Sequence, residues 1–305
     1  MLARNPPLFG VNIDPSLANV ALAERIALRA ERLAFDFAGI QDHPYISSHL
    51  DSWTLLVVLA ARTSRLRFIP NVLSLPLRPP AQLAKAAATL DVLTRGRVEI
   101  GIGAGAMWDG IASFGGPRRT PGEAVVALRE GIEIMRLFWA SASSGTPIDY
   151  HGQFYNVTGA RPGPPPAHEI RIWLGALKPR MLDLTGSHGD GWLVSVPYVP
   201  PQDVPALQAR IDGSAERAGR DPAAIRRGYN VMGVVTLPGK AAMRPNRPGT
   251  IVGTAEQWIE TLAGYYRDIG MDTFFFWPLA GDEEAQIQAF SEQIIPGVRA
   301  AVAAA

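Results

Sequence analysis

Short β-branched or aromatic runs alternate along this chain with longer segments whose apolar residues recur every three or four positions. The runs 9–13, 37–41, 66–73, 98–102, 170–174, 191–196, 229–236 and 273–277 predict strands, being four to eight residues long and rich in Val, Ile and Phe. Between them lie predicted helices. Residues 17–33 carry Leu22, Ile26, Ala30 and Leu33 on one stripe, and 49–61 is helical. Pro79 and Pro80 stand where a helix tolerates proline, Leu83, Ala87, Leu90 and Leu93 continue that helix, and Gly96 can cap it. Thr120-Pro121-Gly122-Glu123 is a capping box opening a helix to residue 139. Helices over 179–187, 204–218, 254–269 and 283–300 complete the series.

Strand followed by helix, eight times, predicts a parallel sheet, and eight units in 305 residues predict a closed (β/α)8 TIM barrel. Two stretches break the rhythm. Residues 141–169 are small, polar and Pro-rich, with a short hairpin expected over 148–157, and 237–253 is rich in Gly and Pro. We expect one domain over 1–305, with both stretches as insertions near the carboxyl-terminal face of the barrel. Those insertions and the loop 108–120 would shape the substrate pocket.

Composition narrows the chemistry. A net charge of +1, with charged residues at 19%, gives no clustered basic surface for nucleic acid or an anionic membrane. The absence of cysteine removes disulfides, thiolate catalysis and Cys-based metal sites. The histidines His49, His151, His168 and His188 show no metal-ligand spacing, so no metal is expected. No stretch is long and apolar enough for a membrane span, and the first ten residues lack a signal-peptide core, so a cytoplasmic protein is expected.

In a barrel of this kind, ligand groups come from the carboxyl ends of the strands. Here those ends are Asp42-His43, Asn71 to Ser74, Gly103 to Ala106, Gly175 to Lys178, Ser195 and Trp277. Gly101, Gly103 and Ala106 match the dinucleotide pattern G-x-G-x-x-A, but that turn should open straight into a helix. Gly110, Gly115, Gly116 and Pro117 interrupt the chain first. The glycines therefore suggest close approach to the main chain in some other geometry. Asp42-His43-Pro44 can be a plain turn, Asn71 an ordinary strand-end turn and Lys178 a solvated side chain. Trp108, Trp53 and Trp277 are candidates for a substrate pocket, whereas Trp173 and Trp192 read as core.

Four stretches, in this order and spacing, resemble the bacterial luciferase-like superfamily of flavin and deazaflavin oxidoreductases. They are Gln41-Asp-His-Pro44; Asn71 to Pro80 leading to Thr89 to Arg97; Gly101-Ile-Gly-Ala-Gly105; and Arg171 to Ala176 leading to Pro179-Arg-Met181 and Gly189-Asp-Gly-Trp192. The resemblance covers nearly the whole chain. It implies a barrel holding FMN or the deazaflavin coenzyme F-420 at its carboxyl face, and hydride transfer to or from a small organic substrate. It places a cis peptide at Asn71–Val72 as a buttress for the cofactor ring. It implies that Asp42 hydrogen-bonds the cofactor and His43 donates a proton or stabilises the reduced anion. Val72, Ser74, Gly103, Gly105 and Ala106 would line the ring. Gly175, Ala176, Leu177 and Lys178 would hold the phosphate at a helix N-terminus.

Two departures bear on the choice of cofactor. The FMN enzymes carry an arginine directly after the second strand-four glycine, where this chain has Ala104. Their second arginine, at the next helix, is replaced by Gly122-Glu123, although Arg118 and Arg119 stand close by. Coenzyme F-420 is therefore expected. The alternatives are an FMN-dependent monooxygenase supplied by a separate flavin reductase, and a barrel that binds flavin without turnover. Sugar-phosphate dehydrogenases of the deazaflavin branch have an acidic glutamate where this chain has Ala106, which leaves His43 as the candidate acid. A homodimer is expected.

Overall fold

The computed structural model describes residues 5–239, 245 and 247–303. Its frame is a parallel sheet rolled into a barrel. In chain order the strands and helices are β1 (Leu8–Ile13), α1 (Val20–Arg32), β2 (Phe37–Ile40), α2 (Ser52–Ala61), β3 (Arg67–Pro70), β4 (Leu73–Ser74), α3 (Pro80–Thr94) and β5 (Ile100–Gly103). Then come α4 (Trp108–Ser113), α5 (Pro121–Ser141), the hairpin β6 (Ile148–His151) and β7 (Asn156–Ala160), β8 (Ile172–Leu174), α6 (Pro179–His188) and β9 (Gly191–Ser195). The chain ends with α7 (Val204–Arg217), β10 (Arg226–Val235), β11 (Ile251–Gly253), α8 (Ala255–Ile269), β12 (Thr273–Pro278), α9 (Glu283–Ala289) and α10 (Ile295–Ala303).

Neighbouring strands run β3-β2-β1-β12-β10-β9-β8-β5-β4, with β11 beside β10. The ring closes where Phe68 meets the stretch before β5: the Phe68 amide donates to the Arg97 carbonyl at 2.8 Å, and the Glu99 amide donates to the Phe68 carbonyl at 2.9 Å. Predicted strand 66–73 is two pieces, β3 and β4, separated by Asn71 and a cis Asn71–Val72 peptide. Phe37, Ile69, Trp173, Leu193 and Phe275 fill the barrel interior, with Leu8 and Val72 against them. A packed interior of this kind leaves ligands only the two ends.

Local chemistry explains the boundaries. Thr120 with Glu123, and Thr254 with Gln257, form complete capping boxes at α5 and α8. Asp51 caps α2 through the Thr54 amide, so that helix starts at Ser52, later than expected. Arg95 and Gly96 both adopt left-handed backbone after α3, and the Gly96 amide closes the end on the Asp91 carbonyl. Leu93, expected on the buried stripe, is 75% exposed. The last predicted helix is interrupted by a π-turn over Phe290–Ile294.

One expectation is corrected. The insertion 141–169 joins the end of α5 to the start of β8, and a helix-to-strand connection lies at the amino end of a parallel barrel. Accordingly His168 and Glu169 share a cavity with the strand-starting residues Leu8, Arg67 and Arg226. The hairpin climbs back along α5. Buried Glu130 accepts the amides of Gln153 (2.8 Å), Phe154 (2.9 Å) and Tyr155 (3.1 Å). The second insertion does leave from the carboxyl end of β10 and returns through β11, which pairs with Gly233 to Val235. Residues 240–244 and 246 of it lie outside the described residues.

Candidate active site

A layer of amides lies across the carboxyl end of the interior core. Asn12 at the end of β1 donates to the Asn230 side-chain oxygen at 3.0 Å. Asn71 donates to Asn12 at 2.9 Å and to Asn230 at 2.6 Å, and Asn230 donates to Ser195 Oγ at 3.1 Å. Four strand ends are thereby tied across the barrel, and Asn71 is fixed on both sides. Val72 stands beside it. A Cβ added at Gly103 would lie 3.3 Å from Val72 Cγ2, and one at Gly175 would lie 3.0 Å from it. Those glycines make room for the protein's own Val72. Gly101 has the same cause, since a Cβ there would lie 1.9 Å from the Pro70 carbonyl oxygen. Gly105 adopts φ +94 and packs against Pro76, Ile111 and Trp108.

Asp42 sits behind this platform. Its side chain is inaccessible and accepts from Ser52 Oγ (2.6 Å), the Ser74 amide (3.0 Å) and Arg78 Nη2 (3.0 Å), while Arg78 also bonds Asp51 at 2.9 Å. The carboxylate is saturated by the protein and holds β4 in place. Ser74 itself is buried with a hydroxyl that has no partner among the described residues. An orphaned hydroxyl at a strand end is available to a ligand.

His43 is half-buried, and its Nδ1 lies 2.8 Å from the Tyr45 hydroxyl. Nε2 makes no hydrogen bond among the described residues. Burial holds the imidazole below its usual 6.5, the nearby His49 pushes it the same way, and Asp42 opposes them. Tyr45 is raised by burial and by Asp42. Tyr45 packs on α4, where a Cβ at Gly110 would lie 2.5 Å from its ring.

Trp108 forms one wall of a cavity of about 460 Å³, with Ala104, Gly105, Ala124, Val125 and Met181 among its neighbours. Lys178 and Arg180 bring positive charge to its edge. The Ala176, Leu177 and Lys178 amides make no backbone hydrogen bond among the described residues, while the Ala176 carbonyl accepts from Trp192 Nε1 at 2.9 Å. Trp192 and Trp173 are core, as expected, and Trp192 also sets the shape of this loop. Ala106 is exposed beside the cavity. Trp53 is half-buried against the core, and Trp277 is half-buried at the end of β12. Tyr45, His49, Asn12, Asn230 and Arg180 were not singled out from sequence. Only a contact map could have joined them to the strand ends.

A parallel barrel with a polar platform, the His43–Tyr45 pair and a cavity at its carboxyl end has its chemistry-bearing groups at the end where such barrels gather ligand contacts. This chain belongs to the luciferase-like monooxygenase family, whose model matches residues 8–246. It is 29% identical over 212 residues to the 5,10-methylenetetrahydromethanopterin reductase of Archaeoglobus fulgidus, covering 70% of this chain and 59% of that protein. It is 35% identical over 196 residues to the phthiodiolone/phenolphthiodiolone dimycocerosates ketoreductase of Mycobacterium tuberculosis, covering 63% of this chain and 49% of that protein. The chain thus matches less than two thirds of the length of these relatives. Among solved structures, a coenzyme F-420-dependent secondary alcohol dehydrogenase bound to a coenzyme–acetone adduct superposes with a TM-score of 0.83 at 19% identity, covering 96% of this chain and 99% of that one. Among the described residues, no helix is long and apolar enough to cross a membrane, and no group of acidic or histidine side chains could hold a metal ion.

Proposed function

We propose that this protein is a coenzyme F-420-dependent oxidoreductase that transfers a hydride to or from a small organic substrate. The observation that carries this reading is that neither Arg118 nor Arg119 is among the residues lining the cavity. Arg118 pairs with Asp109. Arg119 reaches Tyr155 Oη at 3.3 Å and stacks 5.1 Å from the Phe154 ring. With Ala104 after Gly103 and Gly122-Glu123 at the start of α5, neither position that carries an FMN-phosphate arginine in the flavin enzymes holds one here. The named functions of the reductase and the alcohol dehydrogenase described above support the same branch.

The residues present fit a deazaflavin. Val72 and Ser74 offer an apolar knob and an unused hydroxyl for the ring, and the Asn71 side chain is immobilised beside them. The free amides at Ala176, Leu177 and Lys178, with Lys178 and Arg180, suit a phosphate. When bound, the deazaflavin supplies the hydride chemistry. Asp42 acts as a positioning residue for Ser74 and Arg78. Tyr45 orients His43, whose Nε2 is left to exchange a proton with the substrate. Exposed Ile46, Met107, Phe114, Leu177 and Tyr198 belong to the carboxyl-end connections and suit an apolar substrate. The protein is proposed to be cytoplasmic and to pair with a second copy, with exposed Val58, Val92 and Leu93 on α2 and α3 as the available apolar face.

Anaerobic titration with each cofactor, followed by fluorescence, tests the reading. Saturable binding of coenzyme F-420 and weak binding of FMN are expected. Tight FMN binding without coenzyme F-420 binding would assign the protein to the flavin branch, with a partner reductase.

A further inference from the structure

The amino-terminal end of the barrel carries a second cavity, about 430 Å³, walled by Arg67, Arg171, Arg226, His168, Glu99 and Glu169. Arg67 and Arg226 begin β3 and β10, and Arg171 directly precedes β8, so three strand starts aim guanidiniums at one space. Glu99 on this wall, with Asp91 and Asp272 nearby, is already engaged. His168 lies 2.8 Å from Asp91 and 3.7 Å from Glu99. Glu99 also accepts the Arg171 amide at 2.6 Å. Asp272 accepts the Arg227 amide and the Thr273 hydroxyl, and lies 3.5 Å from Arg226 Nε.

The cations are not matched in the same way. Arg67 lies over the Phe37 ring at 4.0 Å. Neither its guanidinium nor that of Arg171 has a hydrogen bond, or a carboxylate within 4.0 Å, among the described residues. Arg226 is 5% exposed, donates to the Pro6 carbonyl, and leaves Nε without a hydrogen-bond partner. Burial depresses both Arg67 and Arg226; Glu99 and Asp36 favour the charged form of Arg67 and Asp272 favours that of Arg226, while the charge of Arg171 repels each of them. These carboxylates offset part of the charge but leave guanidinium donors of Arg67 and Arg226 without a hydrogen bond among the described residues, and an unbonded donor out of water is costly.

We propose that this cavity binds a small anion carrying two or more charges, of the phosphate or polycarboxylate type, at a site separate from the carboxyl-end pocket. Planar guanidiniums match both oxyanion geometries with paired hydrogen bonds. Because Glu99 and Glu169 share the wall, a single negative charge gains little there, and a multiply charged ligand is favoured.

Isothermal titration of the full chain at constant ionic strength, with pyrophosphate, inorganic phosphate, citrate and chloride, tests this. Saturable binding of at least one multiply charged anion to a site that depends on Arg67 and Arg171 is expected, with pyrophosphate against citrate telling phosphate from carboxylate. Arg67→Gln and Arg171→Gln should each weaken it about tenfold or more. Arg171 is exposed, so its substitution keeps the test open if the Arg67 variant folds poorly. Lys178→Ala, which reaches only the carboxyl-end pocket, should leave the Arg171-dependent binding in place. Absence of saturable heat at millimolar anion, binding untouched by Arg171→Gln, or loss of binding in Lys178→Ala would each overturn the proposal.

Discussion

His168 makes the protein's stability depend on pH with a sign that can be checked. Its imidazole is pushed up to about 9 because the Asp91 and Glu99 carboxylates face it, and these outweigh the opposing effect of burial. Asp91 is 0% exposed and Glu99 3%, so the imidazolium is the counter-ion of two carboxylates that water barely reaches. A folded-state proton affinity above the unfolded one contributes stability that is complete below pH 6.5. That contribution is lost as pH rises through 9, because the folded chain keeps a proton that the unfolded chain has released. A rise from 6.5 to about 9 corresponds to at most about 3 kcal/mol. The His168 side chain is 30% exposed, and solvent screening reduces this to about 1–2 kcal/mol. The perturbation is His168→Gln, which keeps a donor and removes the titration. Urea unfolding of both proteins between pH 6 and pH 10 gives the difference curve. The wild-type advantage should shrink by about 1–2 kcal/mol over that span and level off above pH 9. A flat difference, or one that grows with pH, would refute the assignment of the proton to His168.

Three further outcomes are expected. Glu130→Ala removes the acceptor for three amides of the hairpin tip and should cost about 2–4 kcal/mol in urea unfolding, with faster proteolysis near residues 152–155; a loss below about 1 kcal/mol would mean that water replaces the carboxylate. Ala104→Arg puts a guanidinium beside Gly103 and should weaken coenzyme F-420 while improving FMN in fluorescence titration; unchanged affinities for both would separate the cavity from the cofactor. His43→Asn should keep cofactor affinity within a few fold and slow hydride transfer at least about tenfold in stopped flow, and should abolish any rate limb below pH 6.5. An unchanged rate constant would exclude His43 as the acid.

Much of the barrel was legible because its signals are local. β-branched runs, capping boxes at Thr120 and Thr254, and strand–helix alternation each lie within a few residues, and they predict the architecture observed. The cis peptide at Asn71–Val72 came from resemblance, and the break between β3 and β4 was missed, since nothing in Pro70-Asn71-Val72 by itself separates a broken strand from a continuous one. Leu93 was misread because helical spacing assigns a stripe its angle and not its width. Residues 141–169 were placed at the wrong end because their composition looks like a lid. Their position between a helix and a strand, rather than between a strand and a helix, decides the end of the barrel at which they are rooted.

The site was legible only where it lies on one strand end. Asn12, Asn71 and Asn230 meet across separations of 59 and 159 residues, so their shared hydrogen bonds are a product of closure and leave no periodic trace. Arg119 makes the point most sharply. In sequence it stands two residues before α5, whose first turn borders the cavity, where an anion-binding arginine would be placed. What removes it is the hairpin tip, where Phe154 and Tyr155 offer two ring faces and a hydroxyl. That tip is in turn held against α5 by Glu130, a buried carboxylate in mid-helix that no local rule would pair with residues 153–155. An insertion rooted at the far end of the barrel thus bears on the proposed cofactor cavity through a single side chain, by giving Arg119 a place other than the cavity for its charge.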